Sequence, residues 1–245
     1  QKNVRDFCNN ELKPTVVERN RKNEFDQDLY PKFGSLGVLG QTVKTHGGSG
    51  TSNLAYGLVA YEFEKIDSSY RSSISVQSSL VIHPINEFGS QEQKDKYLPS
   101  LIKGEKIGCF GLTESEAGSD PTSMKTSFKK TKDGYIINGS KNWITNAPIA
   151  DIFIIWAIEE NKDHKSIKGF IIEKNTEGLN TSTIENKTSL KISPTGQIIL
   201  NNVFVPSNLC LENTEGWKSV FSCLNKARFG ISWGVLGSAS ECWLI

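Results

Sequence analysis

The most informative part of this sequence reads Phe110-Gly-Leu-Thr-Glu-Ser-Glu-Ala-Gly-Ser-Asp120. An apolar run over 107–112 leads into it, so we expect a strand that ends at a polar turn. In a Gly-Ser turn, consecutive backbone N–H groups form a concavity that suits an anion such as phosphate. Further along, Trp143-Ile-Thr-Asn146 sets an indole directly before polar groups, an arrangement that can cover and bond a flat heterocycle. Taken alone, each segment is more typical of ordinary structure: a strand with a polar turn for the first and a core tryptophan for the second.

The residues before Ile107 carry a helical period. Apolar side chains recur at steps of three and four residues, which predicts amphipathic helices. The predicted helices cover 25–39, 54–66, 71–82 and 91–103. Pro84 is expected to end the third of them. We interpret His83 as a structural histidine, because no second His or Cys is placed with it.

From Ile107 onward the period changes to two, which is typical of strands. The dipeptide Asn138-Gly139 predicts a tight turn between two of them. Further strands are predicted over 152–157, 167–172 and 197–205, with a charged loop over 159–165. Several short strands with turn signals indicate a barrel or a sandwich.

After Pro206 the helical pattern returns. A helix is predicted from about Trp217 to Ile245. Its apolar face is expected to carry Val220, Leu224, Ile231 and Val235, and to be partly exposed for want of bundle partners.

The composition excludes several classes of function. The 28 basic residues balance 27 acidic ones, so nothing indicates nucleic acid or an anionic membrane surface. No apolar run approaches the roughly 18 residues of a membrane-spanning helix. The five cysteines show no spacing typical of a metal site, and we expect reduced thiols in an intracellular compartment.

Taken together, the two polar segments resemble the flavin-facing signature of the acyl-CoA dehydrogenases. The resemblance extends from about Arg5 to about Glu241, and 70–80 is similar to the glutaryl-CoA branch of that family. One departure is Ser115, where the family usually has Pro after Thr-Glu, and this loosens the turn a little. The resemblance implies a multidomain α+β fold in three parts. These are an N-terminal α-helical domain (1–106), a middle β-barrel domain (107–213) and the first helix of a truncated C-terminal helical bundle (214–245).

The implied cofactor is FAD. In the family, a base removes the Cα proton, the Cβ hydride passes to flavin N5, and the glutaryl-CoA branch then loses CO2 to give crotonyl-CoA. The resemblance implies that Thr113 and nearby amides bond the pyrimidine end of the flavin, that Thr145 bonds near N5, and that Trp143 packs against the ring. The implied FAD-binding residues are Phe110, Gly111, Leu112, Thr113, Glu114, Ser115, Glu116, Ala117, Gly118, Ser119, Trp143, Ile144 and Thr145.

An acyl-CoA substrate is implied as well. The implied contact residues are Glu64, Arg71, Ser72, Ser119, Phe221, Ser222, Cys223, Leu224, Asn225, Lys226, Ala227 and Arg228. The guanidinium of Arg71 presents a fork that matches the tail carboxylate of glutaryl-CoA, and Glu64 could orient it. Asn225 and Arg228 lie on one helical face, where the family holds the CoA moiety. A surface Arg71 paired with Glu64 and a solvated Arg228 are the alternatives.

The family's catalytic base is a Glu of the bundle with no counterpart before Ile245, so we expect no catalytic base and impaired activity in these residues. Because the first residue is Gln1 and not Met, and no charged-then-apolar leader is present, we expect the sequence to start inside a longer product. The resemblance implies the mitochondrial matrix. It also implies electron-transfer flavoprotein as partner and a homotetramer built through the bundle, which is expected to fail here. The alternative functions are another short- or branched-chain acyl-CoA dehydrogenase, which needs no cation such as Arg71, or a non-catalytic binding protein.

Overall fold

The computed structural model describes residues 1–162 and 166–244 of the chain. Helices precede a single mixed sheet, and one long helix follows it. Part of the predicted charged loop, together with Ile245, lies outside the described residues.

Helices occupy most of the chain before the sheet. They are α1 (Lys2–Phe7), α2 (Val16–Lys22), α3 (Leu29–Ser35), α4 (Asn53–Glu64), α5 (Ser68–Ser75), α6 (His83–Phe88) and α7 (Gln91–Ile102). A π-helical segment, Cys8–Leu12, extends α1, and a second one, Val76–Ile82, joins α5 to α6. The N-terminus of α7 carries a capping box in which Ser90 and Gln93 bond each other's backbone N–H.

Two of the predicted helix ends were wrong. The helix predicted over 25–39 is only α3, because Gly37 and Gly40 adopt φ of +72° and +57°, which a right-handed helix cannot accommodate. Pro84 does not end its helix, which runs through it to Phe88. The N–H of His83 bonds the carbonyl of Ser78, five residues back, as in a π-helix. Pro84 follows directly, where the π-helical bonds change to α-helical bonds, so its missing N–H does not interrupt a regular series of bonds.

Seven strands form one curled sheet. They are β1 (Gly108–Gly111), β2 (Ser127–Lys130), β3 (Gly134–Thr145), β4 (Ile152–Glu159), β5 (Ile167–Glu173), β6 (Leu179–Thr183) and β7 (Thr195–Pro206). Their order is β1-β4-β2-β3-β7-β6, and β5 pairs with the other edge of β4. The β1–β4 and β2–β4 pairs are parallel and the other pairs are antiparallel.

The turn predicted at Asn138-Gly139 is instead a bulge inside β3. The register against β7 shifts between Ile137 and Gly139, while the strand continues to Thr145. Gly139 has φ of +144°, and a Cβ there would lie 2.5 Å from the hydroxyl of Thr126. A Gly signal within a strand thus marked a bulge and a close backbone approach.

Two hydrophobic cores hold the molecule together. One joins the helices to one face of the sheet, and the other lies on the opposite face. The fully buried Gln77 ties the two parts, because its amide donates to the carbonyls of Leu101 and Lys106 and accepts from the N–H of Gly108 at 2.8 Å. All three partners are backbone groups, two of them in the helical part and one at the start of β1. Gln77 therefore fixes the start of β1 against the helices.

The last helix, α8 (Trp217–Leu244), packs along α4. Its buried face is a stripe of small residues, named here the small-residue stripe: Ser219, Cys223, Ala227, Gly230, Gly234 and Gly237. The predicted partial exposure of the apolar face was wrong for Val220, which is fully buried, and agrees with Ile231 and Val235, which are 42% and 51% exposed. Because glycine has no side chain, the backbones of the two helices can approach closely along this stripe.

No helix among the described residues is both long and apolar enough to cross a membrane. Within the same residues, no group of His, Cys, Asp and Glu side chains could hold a metal ion. All five cysteines are free thiols, and only Cys242 is exposed.

Candidate functional site

A tight turn follows β1 and presents the tip of the Phe110–Asp120 stretch to solvent. Glu114 and Ala117 bond each other's backbone in both directions, at 3.1 and 3.2 Å. Ser115 and Glu116 are exposed at the tip, whereas Leu112 and Ala117 are buried and anchor the ends. A Cβ added to Gly118 would meet nothing within 4 Å, so the backbone next to Ser119 is open to a ligand.

A buried ion pair supports this turn from below. The ammonium of Lys141 is fully buried, lies 2.9 Å from Glu114 Oε1 and donates to the carbonyl of Leu112 at 3.1 Å. The Glu114 carboxylate also accepts the N–H groups of Lys125 and Thr126, at 2.7 and 2.9 Å. The predicted cofactor residue Glu114 thus turns its carboxylate toward the protein and shapes the turn.

The protonation of this pair follows from burial and from mutual attraction. Burial lowers the pKa of Lys141 to about 8, although the Glu114 carboxylate acts in the opposite direction. Burial alone would raise the pKa of Glu114, but Lys141 and the N–H donors outweigh it and hold that pKa below its usual value. Both groups are therefore charged near neutral pH.

Trp143 sits in a second bulge of β3. The register against β7 shifts between Lys141 and Ile144, which extrudes Asn142 and Trp143 from the ladder. Trp143 has φ of +60°, a left-handed conformation that is rare and strained for a bulky residue. The indole is 59% exposed, although indoles usually bury most of their apolar surface. The fold thus holds an aromatic plane in the open at a cost in backbone strain.

The indole borders a cleft of about 430 Å³. The half-buried Thr145 lines the same cleft, while Ile144 between them points into the core. Thr113 is linked to this region by its carbonyl, which accepts the N–H of Asn142 at 2.9 Å, but its side chain is not part of the cleft wall. The structure therefore brings Trp143 and Thr145 together and places Thr113 beside them.

The sequence analysis did not predict the residues that form the opposite wall of this cleft. This wall consists of the loop 185–190 together with Thr195. The ammonium of Lys187 holds the loop in place by donating to the carbonyls of Leu190 and Ser193 and to the hydroxyl of Thr195. Burial lowers the pKa of Lys187. A single lysine in a polar loop carries no pattern that sequence reasoning could have used.

A second cluster lies where α4, α5 and α8 meet. Arg71 Nε donates to Glu64 Oε2, and the Ser68 hydroxyl donates to Glu64 Oε1 at 2.5 Å. The side chains of Arg71 and Glu64 are only 11% and 4% exposed. Gly234 of α8 covers the pair, since a Cβ there would lie 2.7 Å from Glu64 Oε2 and 3.3 Å from Arg71 Nε. The alternative of a surface ion pair is therefore excluded by burial.

Arg71 lines a closed crevice that is otherwise mostly apolar and has no room for a water-sized group in this conformation. Its other walls are Tyr56, Val59, Ala60, Phe63, Ile74 and Ser75. In the hydrogen bonds between described residues, Arg71 uses Nε, and the bonds to Glu64 do not involve its two Nη groups. Ser72, although next to Arg71 in α5, is not part of the crevice wall.

The segment 221–228 is divided between two faces of α8. Cys223 and Ala227 are buried against α4 and its neighbours, and burial raises the pKa of Cys223 to about 12. Asn225 and Arg228 face solvent together, with Arg228 Nη1 donating to Asn225 Oδ1 at 3.0 Å. Phe221 is also exposed, Ser222 and Leu224 are partly buried, and Lys226 donates to the hydroxyl of Thr42 at 2.7 Å. One ligand cannot touch all eight residues.

Comparison with known proteins agrees with this architecture. The model of the acyl-CoA dehydrogenase N-terminal domain matches residues 1–105, and that of the acyl-CoA dehydrogenase middle domain matches residues 109–203. The short-chain-specific acyl-CoA dehydrogenase of Clostridium acetobutylicum is 37% identical over 239 residues, covering 96% of this chain and 63% of that protein. The mitochondrial short/branched chain specific acyl-CoA dehydrogenase of Rattus norvegicus is 33% identical, covering 99% of this chain and 57% of that protein.

A solved structure is similar along nearly the whole chain. The glutaryl-CoA dehydrogenase of Mycobacterium smegmatis in complex with FADH2 has a TM-score of 0.94 and 41% identity, covering 97% of this chain and 61% of that one.

The fold and the paired segments therefore define a flavoprotein-type oxidoreductase scaffold. The chain belongs to the acyl-CoA dehydrogenase family. It spans 57–63% of the length of these curated relatives.

Proposed function

We propose that this chain forms the FAD- and acyl-CoA-binding part of an acyl-CoA dehydrogenase whose substrate is glutaryl-CoA. The observation that carries the choice of substrate is Arg71, a buried cation at an otherwise mostly apolar crevice. The fold supports the reaction class, and the cleft at Trp143 supports the cofactor.

The residues at the cleft fit a flavin. An exposed indole can cover one face of a flat ring, and the neighbouring hydroxyl of Thr145 can bond its edge. The open backbone at Gly118–Ser119 supplies N–H groups that suit a phosphate. When bound, FAD supplies the two-electron oxidation, while the protein binds and orients the reactants.

Arg71 is suited to select a carboxylate-tailed acyl group. Guanidinium groups remain charged in proteins and bond carboxylates through a planar fork. Glu64 holds Nε of Arg71, so the orientation of the fork is fixed before substrate arrives. Butyryl-CoA has no tail carboxylate and would gain nothing from this cation.

The test compares glutaryl-CoA with butyryl-CoA binding to the FAD-loaded chain, measured by calorimetry on the wild type and on Arg71→Ala. Leaving one member of a desolvated charge pair unpaired costs about 2–5 kcal/mol, so glutaryl-CoA should bind at least about thirtyfold more weakly. The affinity for butyryl-CoA should change by less than about threefold. Arg71→Lys keeps the charge that balances Glu64 and should lie between the two proteins.

A matched control is Arg5→Ala. Arg5 also pairs with a buried glutamate of α4, Glu62, at 2.8 Å, but it does not line the crevice. That variant should leave both affinities unchanged. Equal losses for the two substrates in Arg71→Ala would contradict the assignment of glutaryl-CoA.

The second candidate is a short- or branched-chain acyl-CoA dehydrogenase, which the names of the curated relatives favour. On that reading Arg71 would only balance Glu64. The calorimetric comparison separates the two, since a short-chain enzyme would show no preference for glutaryl-CoA.

We also propose the remaining features of the family for this chain. The outward pair Asn225 and Arg228 would contact the CoA moiety. Electron-transfer flavoprotein would accept the electrons, and the complete protein would be a homotetramer. The mitochondrial matrix is proposed as its location, supported by the rat relative.

A further inference from the structure

Asn142 makes three hydrogen bonds that join the two candidate flavin segments. Its N–H donates to the carbonyl of Thr113 at 2.9 Å, and its side-chain Nδ2 donates to the hydroxyl of Ser115 at 3.1 Å. Its Oδ1 accepts the N–H of Trp143 at 3.0 Å. One residue therefore contacts the turn after β1 twice and the strained tryptophan once.

We propose that Asn142 is a positioning residue that holds the Trp143 indole at a fixed distance from the 113–119 turn. Its partner in the turn is Ser115. The proposal rests on the proposed function in that the ligand positioned is FAD. It depends on the hydroxyl of Ser115, whose oxygen accepts the bond from Asn142 Nδ2.

The bulge explains why Asn142 is suited to this role. Extrusion of Asn142 and Trp143 from the ladder frees their N–H groups from β7, and both need other acceptors. The Asn142 side chain supplies one acceptor locally, as short amide side chains commonly do in irregular backbone. The bond to Thr113 supplies the other.

The Lys141–Glu114 pair anchors the same two segments one residue deeper. Lys141 precedes Asn142 in β3, and Glu114 precedes Ser115 in the turn. The buried ion pair thus fixes the two segments to each other inside the protein. Asn142 and Ser115 fix them at the surface, and these two residues are called the rim here. The rim offers more surface to a flavin, since the side chains of Lys141 and Glu114 are only 0% and 11% exposed, whereas Ser115 and Asn142 lie at the surface.

The experiment is a double-mutant cycle of Asn142→Ala and Ser115→Ala, with amide hydrogen exchange of the cofactor-free protein and FAD affinity as readouts. Ser115→Ala should speed exchange in the 114–119 turn and weaken FAD binding by about threefold. Asn142→Ala should also speed exchange at Trp143 and weaken FAD binding by about tenfold, as expected for neutral hydrogen bonds. The double variant should match Asn142→Ala, because the Ser115 bond is already lost there.

Asn138→Ala is the matched control. Asn138 lies at the other bulge of β3 and bonds Asn202 through its side chain, so its loss perturbs the same strand away from the cleft. It should change neither FAD affinity nor exchange in the turn. The midpoint of thermal unfolding should stay within about 2 °C in the site variants, since exposed hydrogen bonds add little to global stability.

Two results would overturn the proposal: additive effects in the cycle, or unchanged exchange at the turn and at Trp143 in Asn142→Ala. Wild-type protein that binds no FAD would contradict the proposed function instead. The exchange measurements would still decide whether Asn142 sets the geometry of the two segments.

Discussion

At the scale of single residues, His83 shows how burial fixes a protonation state. Burial lowers the pKa of its imidazole to about 4, and the nearby ammonium of Lys226 adds to this effect, against a smaller opposing influence of Glu87. The ring packs edge-on against Phe88. His83 is therefore neutral in the folded protein at neutral pH, in keeping with a structural role.

This neutral histidine should make stability depend on pH. Between about pH 6.5 and 4, the unfolded chain binds a proton at His83 that the folded chain does not, so this contribution to stability is complete above pH 6.5 and is lost as pH falls. The shift corresponds to about 3 kcal/mol at pH 4. Urea unfolding of the wild type and His83→Gln at several pH values should show the wild type losing this amount relative to the variant. Parallel pH profiles would show that the histidine is accessible to protons in the folded state.

At the scale of elements, the small-residue stripe determines how α8 meets α4. A Cβ at Gly237 would lie 2.2 Å from the carbonyl of Tyr61, and one at Gly230 would lie 2.5 Å from the hydroxyl of Tyr56. Trp233 lies against Gly57 of α4, where an added Cβ would lie 2.6 Å from the indole. Glycines of α8 therefore pack against large residues of α4, and a glycine of α4 packs against a large residue of α8.

Gly237→Val should push α8 away from α4. Overpacking against a backbone carbonyl cannot be relieved by a rotamer change, so the free energy of unfolding should fall by about 1–3 kcal/mol. Ser232→Val introduces the same side chain on the exposed face of α8 and should change it by less than about 0.5 kcal/mol. Denaturant unfolding followed by circular dichroism measures both. Equal effects of the two substitutions would mean that helix propensity, and not packing against Tyr61, governs the loss.

The same stripe shows what the sequence pattern could not provide. The existence of α8 followed from its apolar period, but its buried face did not, because glycine and alanine add no hydrophobic signal. Asn138-Gly139 fits a hairpin turn and a bulge equally well until the partner strand is known. By contrast β4, β5 and β7 were predictable, since their apolar runs are bounded by clear breaks.

Part of the candidate site could likewise be predicted from the sequence, and part could not. The two flavin segments could be found because each has a short, local sequence pattern. The loop 185–190 and the cover of Arg71 by Gly234 arise from contacts far apart in the chain, which no local pattern encodes. The pairing of Glu64 with Arg71 could be proposed from the family resemblance, but its burial where the separate helices α4, α5 and α8 meet could not.

At the scale of the whole molecule, the outer face of α8 is strongly apolar. Its exposed large side chains are Phe221, Phe229, Ile231, Val235, Leu236, Trp243 and Leu244. Apolar patches of this kind favour association. Any assay of the chain therefore needs a check that the sample is monodisperse.

Catalysis by the described residues depends on whether one of their carboxylates can act as a base. Removal of a Cα proton needs a base within hydrogen-bond reach. A carboxylate that is already paired with a cation is a weak base, because the cation stabilises its charged form. Among the described residues, three carboxylates at or beside the two candidate sites are engaged in ion pairs, Glu64 with Arg71, Glu114 with Lys141 and Glu116 with Lys125, while Glu185 lies on the wall of the cleft itself. The bond from Lys125 lowers the pKa of Glu116, and Lys141 with the turn N–H groups keeps that of Glu114 low despite burial.

The 245-residue chain, supplied with FAD, glutaryl-CoA and an artificial electron acceptor, should therefore show no turnover above the background of free FAD. Binding should be separable from turnover, so glutaryl-CoA binding measured by calorimetry on the same sample shows whether the site itself is intact. An intact glutaryl-CoA dehydrogenase assayed in parallel provides the positive control. Turnover near that of the intact enzyme would place a base within these residues. Its loss in Glu64→Gln but not in Glu116→Gln would identify the carboxylate beside Arg71, which would then have to release its cation to reach the substrate.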